Sequence, residues 1–197
     1  MQKSIAPPSA ARTGVWVGIG AIAMSFAAYT SAMVVRQGTI PEWQHFRLPP
    51  ILYWNTLVLV ASSVTLELAR RRIGGPFDRL AQNASSSAAR ARAWGFWLHI
   101  TLALSVAFLI GQLFAWRSLS AQGVYLATSP SSSFFYVLTV LHALHLLGGI
   151  GALLYALDSL RGDDGPRPVN VLAAASLYWH FMAVLWVYLL VILSLWV

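Results

Sequence analysis

The chain has 197 residues, of which 58% are apolar and only 10% charged, with nine Trp, nine Phe and no cysteine. Soluble globular proteins carry about 25% charged residues, so this chain lacks the charge to wet the surface of a soluble globule. The absent thiols exclude disulfides, thiolate metal sites, iron–sulfur clusters and c-type haem attachment, and the net charge of +7 sits between long apolar runs, a placement that points to lipid headgroups and not to nucleic acid.

Five runs are long enough to cross a hydrocarbon core of roughly 30 Å, which takes about 20 helical residues. They cover residues 14–35, 51–69, 94–116, 134–157 and 171–197, and only Glu67 is formally charged in any of them. Such runs must be helical, because lipid cannot satisfy open backbone groups. The expected fold class is therefore all-α, an integral membrane bundle of five transmembrane helices forming one membrane domain over 1–197. The first run exceeds the 7–15 residues of a signal-peptide core and is read as a retained helix behind a tail over 1–13.

Helix 2 has a polar stripe of Asn55, Thr56, Ser62, Ser63 and Thr65, which suits interhelical hydrogen bonding. Glu67 lies four residues before Arg71, on the same helical face, and the two can pair. An interfacial ion pair is one reading of this acid; a carboxylate that collects protons or contacts a partner is the other. The connection over 74–93 is rich in Gly, Pro and Ser and reads as a solvated loop, with a short surface helix over 77–82.

Helix 3 carries His99, Thr101, Ser105 and Gln112, and helix 4 carries His142 and His145 three residues apart on one face. His180 lies on helix 5. At 1.5 Å per residue His145 and His180 sit about 18 and 14 Å from the cytoplasmic ends of their helices, so they could meet if those helices are neighbours. Facing imidazoles at matched depth are what a haem needs; neutral histidines hydrogen-bonding between helices are the simpler alternative. Gly14 with Gly18, Ala28 with Ala32, and the glycines at 148, 149 and 151 have the small-residue spacing of close helix contacts. Trp16, Trp43, Trp54, Trp94, Trp97, Trp116 and Trp196 stand near helix ends as an interfacial belt.

The basic residues set an orientation. Ten fall in the amino-terminal tail, the 70–93 connection and the 158–170 connection, against three (Arg36, Arg47 and Arg117) on the other side. The positive-inside rule then puts the amino terminus in the cytoplasm and the carboxyl terminus outside. Arg70, Arg71 and Arg72 lie where they would meet anionic headgroups, each contributing about 1 kcal/mol near the surface.

Four stretches together resemble subunit III of haem–copper cytochrome c oxidases, in the short five-helix bacterial form. Residues 55–65 read N-T-L-V-L-V-A-S-S-V-T, similar to that family's N-T-x-x-L-x-x-S-S-x-T. Thr101, Phe108, Gly111 and Gln112 resemble T-x6-F-x2-G-Q. Residues 134–149, F-F-Y-V-L-T-V-L-H-A-L-H-L-L-G-G, resemble F-x-L-T-G-x-H-G-L-H-x-x-x-G, and residues 178–186, Y-W-H-F-M-A-V-L-W, resemble Y-W-H-F-V-D-x-V-W. The chain departs from the pattern at three acids: 22–23 are Ile-Ala, and Ala115 and Ala183 stand where carboxylates are usual.

The resemblance implies a non-redox accessory subunit with no catalytic residue and no metal of its own, in a bacterial inner membrane. Its partners would be oxidase subunits I and II, which hold the haem and copper, and its bound component a structural phospholipid. Asn55, Ser62, Ser63, Thr65, Gln112, His142, His145, Tyr178, Trp179, His180 and Trp186 match the motifs, and the resemblance implies bundle packing and lipid lining for them. It further implies that helices 1 and 2 hinge away from helices 3–5 around a V-shaped lipid cleft, and that the subunit aids proton uptake. The competing readings are an accessory subunit of a nitric oxide reductase and, from a different class, a stand-alone b-haem electron carrier.

Overall fold

The computed structural model describes residues 10–39, 43, 45–73, 87–159 and 168–196. They form five helices and, among the described residues, no strand: α1 (Ala10–Gln37), α2 (Ile51–Ile73), α3 (Ser87–Ala121), α4 (Pro130–Ser159) and α5 (Pro168–Trp196). Each contains a segment long and apolar enough to span a bilayer, and the chain is a multi-pass membrane protein.

The helices overrun the hydrophobic runs, and local chemistry accounts for the ends. α4 starts at Pro130, before the apolar run, because Ser129 caps it: the Ser132 N–H donates to Ser129 Oγ (3.2 Å), and the Ser129 N–H donates to Ser132 Oγ (3.0 Å). Proline at the first helical position loses no hydrogen bond, and α5 likewise begins on Pro168. α3 ends where Gly123 adopts φ +80°, with Val124 N–H donating to Leu119 O and Gly123 N–H to Ser120 O, both 3.0 Å, the paired closure of a Schellman motif. The start of α3 corrects the expected loop over 74–93. Residues 87–93 are already helical, because S-A-A-R-A-R-A is a run of strong helix formers beyond the last Gly and Pro. The short helix expected over 77–82 lies outside the described residues.

α5 is the hub. It packs on α4, α2 and α1, while α2 packs most extensively along α3, and α1 also touches α4. This arrangement overturns the hinged cleft: α2 does not swing away from α3–α5 but runs between α3 and α5. The physical reason is its polar stripe. Asn55 Nδ2 donates to Phe108 O (2.9 Å), Thr65 shares a hydroxyl contact with Thr101 (2.9 Å), Trp179 Nε1 donates to Ser62 Oγ (3.1 Å) and Trp186 Nε1 to Thr56 Oγ1 (2.9 Å). In lipid these groups have no water to turn to, so they hold the helices together. α1 joins α5 through the Thr30–Tyr188 hydroxyl pair (2.9 Å), and Trp43 Nε1 donates to Trp196 O (2.8 Å), tying the segment before α2 to the end of α5.

The small-residue stripe of α1 is not a close contact. A Cβ added at Gly14 or Gly18 would meet nothing within 4 Å, and Ala28 and Ala32 are exposed. The tight approaches are elsewhere. A Cβ on Gly149 would stand 3.1 Å from the Trp179 and Tyr178 rings, and one on Gly111 would drive into the Asn55 carboxamide, 2.8 Å from its Cγ. Gly111→Ala is therefore expected to break the Asn55–Phe108 bond and destabilise the bundle by about 1–3 kcal/mol, the range of core overpacking. Unfolding of the variant in mixed micelles checks this; an unchanged midpoint would mean that α2 and α3 can separate at no cost.

Candidate functional site: a carboxylate–imidazole–hydroxyl cluster between α2 and α5

Ser63 and Glu67 are four residues apart on α2 and share a face. Helical side chains lean toward the amino-terminal end of their helix, so the Glu67 carboxylate leans from the end of α2 back into the bundle. There it meets α5. His180 Nε2 lies 3.5 Å from Glu67 Oε2, and His180 Nδ1 is hydrogen-bonded to Ser63 Oγ. One imidazole thus spans a carboxylate and a hydroxyl.

Two arginines close the other side. Arg70 grips Glu67 with a two-point fork, Nε to Oε2 and Nη2 to Oε1, both 2.8 Å, and Arg71 Nε donates to Oε1 at 2.8 Å. The pair expected with Arg71 is present, and Arg70 shares it. Both arginines are well exposed while Glu67 is only 23% exposed; the acid is the inner member and the cations face outward. Arg72 continues α2, and its side chain lies outside the described residues, as do those of Arg79, Arg90, Arg92, Arg161 and Arg167. Glu67, Arg70 and Arg71 together carry one net positive charge.

The remaining histidines do not join this cluster. His145 hydrogen-bonds Leu141 O on its own helix (2.7 Å) and stands edge-on to Phe26 of α1 (5.7 Å). His99 bonds back to Gly95 O. His142 is fully enclosed between Trp186 (4.9 Å) and Phe108 (6.1 Å), and neither ring nitrogen has a partner. His145 and His180 do not meet, because His145 turns to α1 and His180 to α2; of the two readings, the one with histidines contacting other helices holds for His180. That geometry brings no two imidazoles face to face, as a bis-histidine haem would require. No group of three metal-ligating side chains occurs among the described residues.

The other motif residues serve helix contacts. Asn55, Ser62, Thr65, Trp179 and Trp186 make the bonds described above, and Tyr178 Oη donates to His145 O (2.9 Å), linking α5 to α4. Gln112 is 1% exposed and both its side-chain polar atoms are unpaired. Ala115 and Ala183, where the resemblance implies acids, are buried in the core. The sequence reading missed the His180–Glu67 contact, although Ser63 and Glu67 at i, i+4 marked the face that α5 had to meet.

A double-mutant cycle over Ser63→Ala and His180→Phe is expected to give a coupling between about 0.6 and 1.7 kcal/mol, the range of interhelical hydrogen bonds in membranes. Additive stabilities of the two single variants would show that the contact carries no energy.

Comparison with known proteins is consistent across sources. The family profile described as "Cytochrome c oxidase subunit III" matches residues 22–197, which takes in most of α1 and all of α2–α5. The "Probable cytochrome c oxidase subunit 3" of Mycobacterium tuberculosis (strain ATCC 25618 / H37Rv) is 29% identical over 175 residues, covering 85% of this chain and 77% of that protein. The "Cytochrome c oxidase subunit 3" of Corynebacterium diphtheriae is 28% identical over 171 residues (85% and 75%). That of Synechocystis sp. is 28% identical over 188 residues (92% and 74%).

Proposed function

The chain belongs to the cytochrome c oxidase subunit III family, and from that premise we propose that it is the accessory, non-redox subunit of a bacterial haem–copper cytochrome c oxidase. The observation that carries this is the profile match across all five helices. In this reading the haem and copper reside in subunits I and II, and this chain packs against them in the cytoplasmic membrane, supporting the metal-bearing subunit during turnover. The skewed distribution of basic residues supports a cytoplasmic amino terminus and an outer carboxyl terminus.

The Glu67–His180–Ser63 cluster then lies toward the cytoplasmic side. Its acid is six residues from the end of α2, about 9 Å. We assign Glu67 the role of an interfacial acid: Arg70 and Arg71 fix its carboxylate with three charge-assisted hydrogen bonds, and it meets His180 of α5. Arg70, Arg71 and Arg72 would hold anionic phospholipid headgroups at the same surface.

Removing the chain from the purified complex is expected to leave the optical haem spectrum unchanged while shortening the catalytic lifetime; loss of haem on removal would refute an accessory role. Replacing Arg70, Arg71 and Arg72 together by Gln is expected to remove about 3 kcal/mol of headgroup attraction at low salt. Native mass spectrometry checks it, and undiminished adducts of phosphatidylglycerol would count against the assignment.

A further inference from the structure

Residues 45–50, H-F-R-L-P-P, lead into α2. Proline pushes the residue before it out of the α region, so Pro49 and Pro50 keep the approach extended and stop α2 from reaching back beyond Ile51. Residues 45–48 alternate accordingly. Phe46 stands edge-on to Phe135 of α4 (5.8 Å) and Leu48 packs against the core, while His45 and Arg47 turn outward and are exposed. None of the four makes a backbone hydrogen bond to a described residue. An extended segment with a free row of N–H and C=O groups is a template for a second extended chain.

The outward side chains border a pocket of about 400 Å³ where this segment meets the last turns of α5. His45 and Arg47 line it from the segment, Tyr53 from the first turn of α2, and Leu193 and Leu195 from α5. Its size falls within the roughly 300–1,000 Å³ of ligand sites. The ion pairs among the described residues all go to Glu67, at the other end of α2, so Arg47 keeps an unanswered positive charge. A guanidinium fork, an imidazole and a phenol around one space, with no acid among the lining residues, select an anion, and the planar fork matches a carboxylate in two-point fashion.

We propose that residues 45–48 form a docking edge for an extended acidic segment of another protein. The segment's backbone pairs with this edge, and one of its carboxylates enters the pocket against Arg47, His45 and Tyr53. A phosphate, free or lipid-borne, answers the pocket but not the backbone row beside it. An extended peptide answers both, because its side chains alternate and place one carboxylate inward beside the paired strand. Leu193 and Leu195 give its neighbouring residue an apolar rim. The edge lies at the opposite end of α2 from the Glu67 cluster and rests on the accessory-subunit reading only in taking the chain as one member of an assembly.

The test uses the chain within its purified complex, with Leu195 at the pocket rim replaced by p-benzoylphenylalanine. Light is expected to join it to one other protein, at a segment that mass spectrometry shows to contain Asp or Glu. Amides on the paired edge of 45–48 should exchange with deuterium more slowly in the complex than in the isolated chain. Arg47→Gln is expected to leave the thermal midpoint of the isolated chain unchanged, since the guanidinium is exposed and unpaired. It should weaken rebinding of the chain to the complex stripped of it about tenfold, the factor for one hydrogen bond to a charged group. Arg47→Glu should weaken rebinding further, and changing the crosslinked carboxylate to Lys should restore it. Crosslinks to phosphatidylglycerol alone, or to a segment without Asp or Glu, overturn the proposal. So does an Arg47 effect with unchanged exchange at 45–48, which would give the pocket to a lipid or inorganic phosphate. If no haem-bearing subunit copurifies while the crosslink and its dependence on Arg47 persist, the accessory-subunit reading fails and the docking edge stands. A haem-bearing complex that gives no crosslink sinks the edge alone.

Discussion

Everything in this bundle follows from the absence of water around its middle. Lipid tails are as apolar as the leucines they touch, so burying hydrocarbon gives helices little reason to prefer one another over lipid. What distinguishes one neighbour from another is a polar group that needs a partner or a shape that only one surface fits. α2 carries most of those groups. Thr56 and Ser62 accept from the indoles of Trp186 and Trp179, Ser63 holds His180, Asn55 reaches the backbone of Phe108, and Thr65 meets Thr101. Take away that stripe and α2 has no reason to lie between α3 and α5.

The same stripe brings charge inward. Because helical side chains lean toward the amino-terminal end, an acid near the carboxyl-terminal end of α2 leans toward the membrane interior, while Arg70 and Arg71 fold back one turn to meet it. Exposed ion pairs of this kind contribute little to stability, about 0–1 kcal/mol. Their consequence is positional: the carboxylate is anchored with one oxygen 3.5 Å from an imidazole on another helix. A hydroxyl on the far side of that ring completes the only arrangement among the described residues in which an acid, an imidazole and a hydroxyl adjoin.

Where the resemblance implies two acids, the chain has Ala115 and Ala183, and both are buried among apolar side chains. The buried polar groups left without a hydrogen bond among the described residues, in Gln112 and His142, lie on α3 and α4.

The sequence by itself determined the membrane class, the five helices and the family, because each rests on local information: runs of apolar residues set the spans, and four short motifs in order set the resemblance. It also marked which residues are polar inside lipid. It could not say which helix each of them faces. Periodicity fixes a face on one helix but not the neighbour that covers it, so a meeting of His180 with His145 and hydrogen bonds to other helices both stayed open, and only the fold gives His180 to Ser63 and Glu67. The GxxxG at Gly14 and Gly18 read as a contact when the tight contacts are at Gly111 and Gly149. The hinge between helices 1–2 and 3–5, implied by resemblance alone, failed for the same reason. The choice of neighbour belongs to the whole bundle, where satisfying one buried hydroxyl constrains every other helix at once.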